Sequence, residues 1–259
     1  MQPVLTPRPP DVINPDSRTG IVILCDHASA AVPPDLNGGD LGVPPAVMSD
    51  HHIAVDIGAE GTARALAHRL DATAVIARVS RLVCDVNRDP VAQDPFPASS
   101  DGIAIPANEN LSAEDRQMRL DAYFHPFHTA AAAAVDRAQA RHPRPLVFSI
   151  HSFTPIFQGA PRPWEIGFLH DRDPRLFQAF ARELDARYRF VIGDNQPYSG
   201  RDLYYTMDRH GQAHGLPQTT VEIRQDLLET APGQALWADI LAECVAAMPD
   251  NADMRPRAV

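Results

Sequence analysis

Only three cysteines occur in 259 residues, Cys25, Cys84 and Cys244, and none stands in CxxC spacing. Their scatter excludes a thiolate zinc site and a disulfide framework, and it fits a reducing compartment. No apolar run approaches the roughly 18 residues that would span a bilayer. The Pro-rich start, Met1 to Asn14, has no charged segment leading into an apolar one, so no signal peptide is read there. A cytoplasmic protein without a membrane partner is the expectation. Positive charge is short as well: 23 basic residues face 33 acidic ones, a net charge of −10. That argues against nucleic acid, because neutralising phosphates needs a basic footprint. Nucleophile motifs are also missing. Ser152 has no G-x-S-x-G elbow, Cys25 has no supporting motif, and Gly38-Gly39 lacks the spacing of a phosphate loop.

What is present is an ordinary globular composition, 44% apolar and 22% charged, long enough to bury a sizeable core. Prolines at 3, 7, 9, 10 and 15 make residues 1–18 an extended arm. Residues 19–248 read as one domain, and 249–259 as a flexible tail. Strands are predicted at about 20–26, 72–77, 81–84, 145–151, 165–170 and 218–223. Helical periodicity is predicted over 48–70, from a Ser112-Ala113-Glu114-Asp115 capping signal to Arg141, over 173–188 and over 233–248. The segment 89–109, with four prolines, reads as a long surface loop. Strands alternating with helices predict an α/β fold: a mixed, mostly parallel sheet covered by helices on both faces.

Two apolar runs end in histidine. Ile21-Val22-Ile23-Leu24-Cys25 stops at Asp26-His27, and Leu146-Val147-Phe148-Ser149-Ile150 stops at His151. Such folds place their chemistry outside the carboxyl ends of strands, and two imidazoles held there could share a metal ion. A catalytic zinc typically keeps three protein ligands. The third could come from the cluster Asp50, His51, His52 and Asp56. Asp56 stands out because it interrupts the apolar stretch Ile53-Ala54-Val55 and Ile57, a poor place for an unpaired carboxylate. An early-helix acid favoured by the dipole is the alternative.

Glu222, alternating with apolar neighbours in Thr220-Val221-Glu222-Ile223-Arg224, could take a proton from water and pass it to a leaving amine. It could equally be an ion-paired strand residue. Arg88, Arg201 and Arg224 could each clamp a substrate carboxylate in a bidentate pair, and the residue pattern does not choose among them.

Taken in order, several stretches resemble the N-formylglutamate amidohydrolase family, which is related to the zinc carboxypeptidases and aspartoacylases. They are Cys25-Asp26-His27-Ala28-Ser29, His52-Ile53-Ala54 through Asp56-Ile57-Gly58-Ala59, and Ser80-Arg81 with Asp85-Val86-Asn87-Arg88. His151-Ser152-Phe153, Asn195 with Pro197-Tyr198-Ser199-Gly200, and Val221-Glu222-Ile223-Arg224 continue the series. The resemblance implies a zinc-exopeptidase-like fold and zinc-dependent hydrolysis of N-formyl-L-glutamate, or a close N-acyl amino acid, in amino-acid catabolism. It implies metal ligation at His27 and His151, with Zn2+ the expected ion and its identity open. It also implies a catalytic Glu222 and a substrate grip by Asn87 and Arg88, with Asn195, Tyr198, Arg201 and Arg224 as further binding candidates. The partner is then a small anionic N-acyl amino acid. The related peptidases carry a glutamate three residues after the first histidine, where this chain has Ala30. Asp56 is the candidate replacement, with Asp50 and His52 as alternatives. The rival readings are an N-acyl amino acid or peptide amidase of other specificity, and a metal-free binding or regulatory protein on the same fold.

Overall fold

A computed structural model describes residues 5–91, 94–248 and 254–257. The strands of the main sheet are β1 (Asp11–Ile13), β2 (Ile21–Cys25), β3 (Thr73–Ile76), β6 (Leu146–Phe153), β9 (Ile166–Leu169), β10 (Ile192–Asp194) and β11 (Gln218–Arg224). Two short hairpins, β4 (Ser99–Ser100) with β5 (Ile103–Ala104) and β7 (Ile156–Phe157) with β8 (Ala160–Pro161), stand apart from it. The sheet order is β1-β3-β2-β6-β11-β9-β10. The β3, β2, β6 and β11 neighbours run parallel, β9 is antiparallel to β11, and β1 closes one edge antiparallel to β3. This is the mixed, mostly parallel α/β sheet the sequence predicts.

The central strands are buried on both faces, which is why they read as continuous apolar runs. Their side chains still alternate. Val22, Leu24, Val75 and Val147 join one core layer, with Phe127, Ala131, Ala134 and Val135 of α4 (His125–Arg141). Ile23, Cys25, Ile76, Phe148, Ile150 and Val221 join the other, under α2 (Ala59–Leu70), α5 (Arg175–Arg187) and α7 (Ala231–Ala247). A one-residue slip would exchange the two layers, so register is strongly specified.

The helix predicted over 48–70 is two pieces. The short α1 (Pro45–Asp50) ends before His51, and α2 starts only after Gly58. Gly58 has φ +75°, and a side chain there would collide with Leu228. Between the helices, Asp56 N–H donates to the His27 carbonyl at 3.0 Å. The chain has to leave the helical path there to bring Asp56 to the end of β2.

Residues 81–84, predicted as a strand, form a turn instead: Val83 and Cys84 both donate to the Ser80 carbonyl, at 2.9 and 3.2 Å. Their apolar side chains are buried, which is the feature that mimics a strand. The Ser112 capping box is present, with Ser112 Oγ accepting from Asp115 N–H at 3.0 Å. Behind it, α3 (Ala113–Arg119) runs through a π-helical turn at Leu120–Phe124 into α4. Described parts of the expected arm and tail pack onto the domain. Residues 11–13 of the predicted arm add β1, and Met254, in the expected tail, is buried against the α7 side of the core. No described helix is long and apolar enough to cross a membrane.

Candidate active site

Strands β2, β6 and β11 lie side by side, and each delivers one ionisable group at its carboxyl end. His27 follows β2 by two residues, His151 is in β6, and Glu222 sits beside His151 in the parallel β11 register. Asp56 arrives from the broken helix. Its Oδ2 is 2.8 Å from His151 Nδ1 and 3.5 Å from His27 Nδ1. Ligand atoms of His27, Asp56 and His151 lie within 4.8 Å of one another, and all three residues are buried.

The outer nitrogen of each imidazole also faces a carboxylate. His27 Nε2 is 2.8 Å from Asp85 Oδ1, and His151 Nε2 is 3.6 Å from Asp26 Oδ1. Asp85 is itself braced: Oδ1 accepts from Asn87 N–H at 3.0 Å, while Oδ2 accepts from Arg81 Nη2 at 3.1 Å and Arg88 Nε at 3.2 Å. Arg81 also reaches Asp56 Oδ1 at 3.4 Å. The result is a buried lattice of alternating charge.

Electrostatics follow from that lattice. Burial and Arg81 oppose a charge on His27, but Asp85 and Asp56 outweigh them and raise its pKa. Burial likewise opposes charge on His151, and Asp26 with Asp56 drives it well above the ordinary histidine value. Burial would raise the pKa of both Asp56 and Asp85, yet His27 and His151 hold Asp56 well down, and His27, Arg81 and Arg88 do the same for Asp85. Glu222 goes the other way. Burial, helped by Asp56 and opposed by His151, pushes it up to about 7. Its Oε2 is buried without a hydrogen-bond partner among the described residues.

These groups line a cavity of about 340 Å³, together with Asn87, Arg88, Tyr198 and His52, a size suited to a small organic ligand. Tyr198 is held by Arg162, whose Nη1 donates to the phenol oxygen at 3.1 Å and whose guanidinium covers the ring at 4.8 Å. Three predicted binding residues are elsewhere. Arg224 turns outward to Asp226, with Nε–Oδ1 at 2.8 Å. Arg201 is exposed, on a separate surface beside Asp89 and Asp208. Asn195 spends its carbonyl oxygen on the N–H groups of His170 and Gly200, both at 3.0 Å, and so shapes a turn. The sequence assigned no role to Asp26, Asp85, Arg81 or Arg162, although the first three stand in the stretches that carry the resemblance. The first two carried a usable signal: a histidine that ligates a metal typically has a carboxylate behind its other nitrogen, and Asp26 adjoins His27 in the chain.

The donor set at His27, Asp56 and His151 fits a divalent ion such as zinc, which takes imidazole nitrogen and carboxylate oxygen. His27 Nδ1 is buried and lacks a hydrogen-bond partner among the described residues, an orphan that a metal would satisfy. His52, an alternative third ligand, sits instead at the cavity mouth beside His51 and Asp101. Burial, then His51, then the guanidinium groups of Arg81 and Arg162 lower the His52 pKa against the pull of Asp101.

Residues 19–229 match the model of the N-formylglutamate amidohydrolase family. Among solved structures, the chain is similar to a gene product from Agrobacterium tumefaciens, with 35% identity over 92% of this chain and 94% of that one, and a TM-score of 0.87. It is also similar in fold to the N-formylglutamate amidohydrolase from Ralstonia eutropha JMP134, with 20% identity over 91% and 95% of the two chains and a TM-score of 0.60. No curated protein matches it.

Proposed function

The chain belongs to the N-formylglutamate amidohydrolase family, and from that premise we propose that it is a zinc-dependent hydrolase of N-formyl-L-glutamate or a close N-acyl amino acid. Water is consumed, and formate and L-glutamate are released. The observation that carries the reading is the meeting of His27, Asp56 and His151 in one cavity with Glu222 and Arg88. Those three residues would hold the ion. When bound, it supplies Lewis acidity, polarising an amide carbonyl and acidifying water.

The protein's own groups do the rest. Glu222 accepts the proton of the attacking water and passes it to the amine nitrogen as the C–N bond breaks. A carboxyl near 7 is matched to that exchange at neutral pH. With an ion bound, Asp85 would keep the proton of His27 on Nε2 and so leave Nδ1, on the side of Asp56 and His151, as the lone pair offered to it. Arg88 and Asn87 grip the substrate carboxylate. Tyr198, its phenol oxygen already accepting from Arg162, directs its own O–H to the ligand.

Steady-state kinetics on N-formyl-L-glutamate and N-formyl-L-methionine test the two central roles. Glu222→Gln should keep the metal and lose about 10²–10⁴-fold in turnover on both substrates. Arg88→Lys keeps the charge but not the planar fork, so it should harm the acidic substrate more than the neutral one. A fully active Glu222→Gln protein would remove the base. Equal losses on both substrates for Arg88→Lys would remove the anion clamp.

A further inference from the structure

Behind the loop that carries Asp85, Asn87 and Arg88 lies a buried histidine pair that the proposed chemistry leaves unused. His128 comes from α4, and His210 ends α6 (Tyr205–His210); each is 2% exposed. The rings lie nearly parallel, 17° between their planes and 5.1 Å between centroids, with His128 Nδ1 2.8 Å from His210 Nε2, and His128 Nε2 lies 2.9 Å from the Val86 carbonyl oxygen. These contacts fix the protons. A carbonyl can only accept, so His128 carries its proton on Nε2. Its Nδ1 is then a lone pair, and the hydrogen between the rings belongs to His210 Nε2.

Burial, then the partner ring and Arg209, lower His128 to about 3. Burial and Arg209, against the pull of Asp26, lower His210 to about 4. Both are therefore neutral at pH 7, as the hydrogen-bond pattern requires. The same short helix makes a second contact one residue further along the loop: Thr206 N–H donates to Asn87 Oδ1 at 2.9 Å. That bond turns the Asn87 oxygen towards the helix and leaves its Nδ2–H groups as the donors for a ligand. A carboxylate needs that polarity.

We propose that His210 and His128 are positioning residues for the anion grip: through Val86 they fix the backbone between Asp85 and Asn87, so that Asn87 is presented to the cavity as a donor. The identity of the anion rests on the amidohydrolase reading; the placement of the loop does not.

Two replacements separate hydrogen bonding from packing. His128→Gln keeps one donor and one acceptor. His128→Phe keeps a ring against Phe124 and Tyr205, which lie at 4.3 and 5.5 Å, and loses both bonds. Amide hydrogen exchange over residues 85–88 should quicken in His128→Phe and stay close to wild type in His128→Gln. Kinetics on N-formyl-L-glutamate at saturating zinc should show KM raised about 10- to 100-fold in His128→Phe, the loss of a hydrogen bond to a charged group, with kcat little changed. Adding Asn87→Ala should then cost little more, because the two changes remove one interaction.

Equal behaviour of the Phe and Gln variants, or full multiplication of the His128→Phe and Asn87→Ala losses, overturns the proposal. If the wild type does not hydrolyse the substrate, the proposed function fails while the exchange comparison still decides the positioning. Should His128→Phe not fold, His210→Phe carries the same exchange test, since it removes the donor to His128 Nδ1.

Discussion

Replacing Asp85 by Asn should damage metal binding although Asp85 touches no proposed metal-facing atom. The carboxylate accepts four hydrogen bonds: His27 Nε2 at 2.8 Å and Asn87 N–H at 3.0 Å on one oxygen, Arg81 and Arg88 at 3.1 and 3.2 Å on the other. An amide cannot match this pattern. If its NH2 faces the arginines, donor meets donor. If it faces His27, the ring has to accept on Nε2, and its proton moves to Nδ1, the atom proposed to face the ion. Carboxylates that orient ligating histidines are typically worth about 10–100-fold in metal affinity, or about 1.4–2.7 kcal/mol. Competition against a chromogenic chelator measures this. Asp101→Asn, beside His52 at the cavity mouth, is the control and should leave affinity within about twofold, well under the range expected for an orienting carboxylate. An Asp85→Asn protein that binds zinc as tightly as that control would refute the orienting role and the choice of Nδ1.

Asp56→Ala should weaken metal binding far more than Asp50→Ala or His52→Ala, because Asp56 is placed against both imidazoles and His52 against Asp101, while the Asp50 side chain lies outside the described residues; a larger loss from either of the others, read by elemental analysis, would move the third ligand. The buried histidine pair makes a separate prediction about pH and stability. Because His128 and His210 have folded-state pKa values below the ordinary 6.5, the unfolded chain takes up their protons first as pH falls. Their contribution is therefore intact above about pH 6.5 and is lost on acidification, at about 1.4 kcal/mol per pH unit per histidine across roughly pH 4–6. Urea unfolding at several pH values in that window should show a shallower pH slope for His128→Phe than for the wild type, and equal slopes would contradict the buried neutral pair.

The sheet was legible because its central strands are apolar on both faces and stop abruptly at polar residues. The same signal placed His27 and His151, since a strand end is fixed by the chain itself. Asp56 was legible as an anomaly, a charge in an apolar stretch, although the helix it was assigned to breaks before it. Local periodicity could not reveal that break. It follows from the long-range demand that Asp56 meet His27 and His151, and Gly58 supplies the positive φ that permits the turn. Residues 81–84 misled for a related reason: burial leaves the same apolar pattern on a turn as on a strand. Arg201 and Arg224 were indistinguishable from Arg88 by residue type. What separates them is direction, towards solvent or Asp226 rather than the cavity, and direction is set by tertiary packing. The His128–His210 pair lies 82 residues apart in the chain, with no local sign of its meeting.

The most direct test of the account is formate release from N-formyl-L-glutamate, followed by proton NMR, as protein stripped by a chelator is titrated with zinc. The stripped protein should release no formate, and release should rise with added zinc and saturate near one ion per chain. Undiminished release from protein shown to be free of metal, or none at any zinc loading, would contradict it.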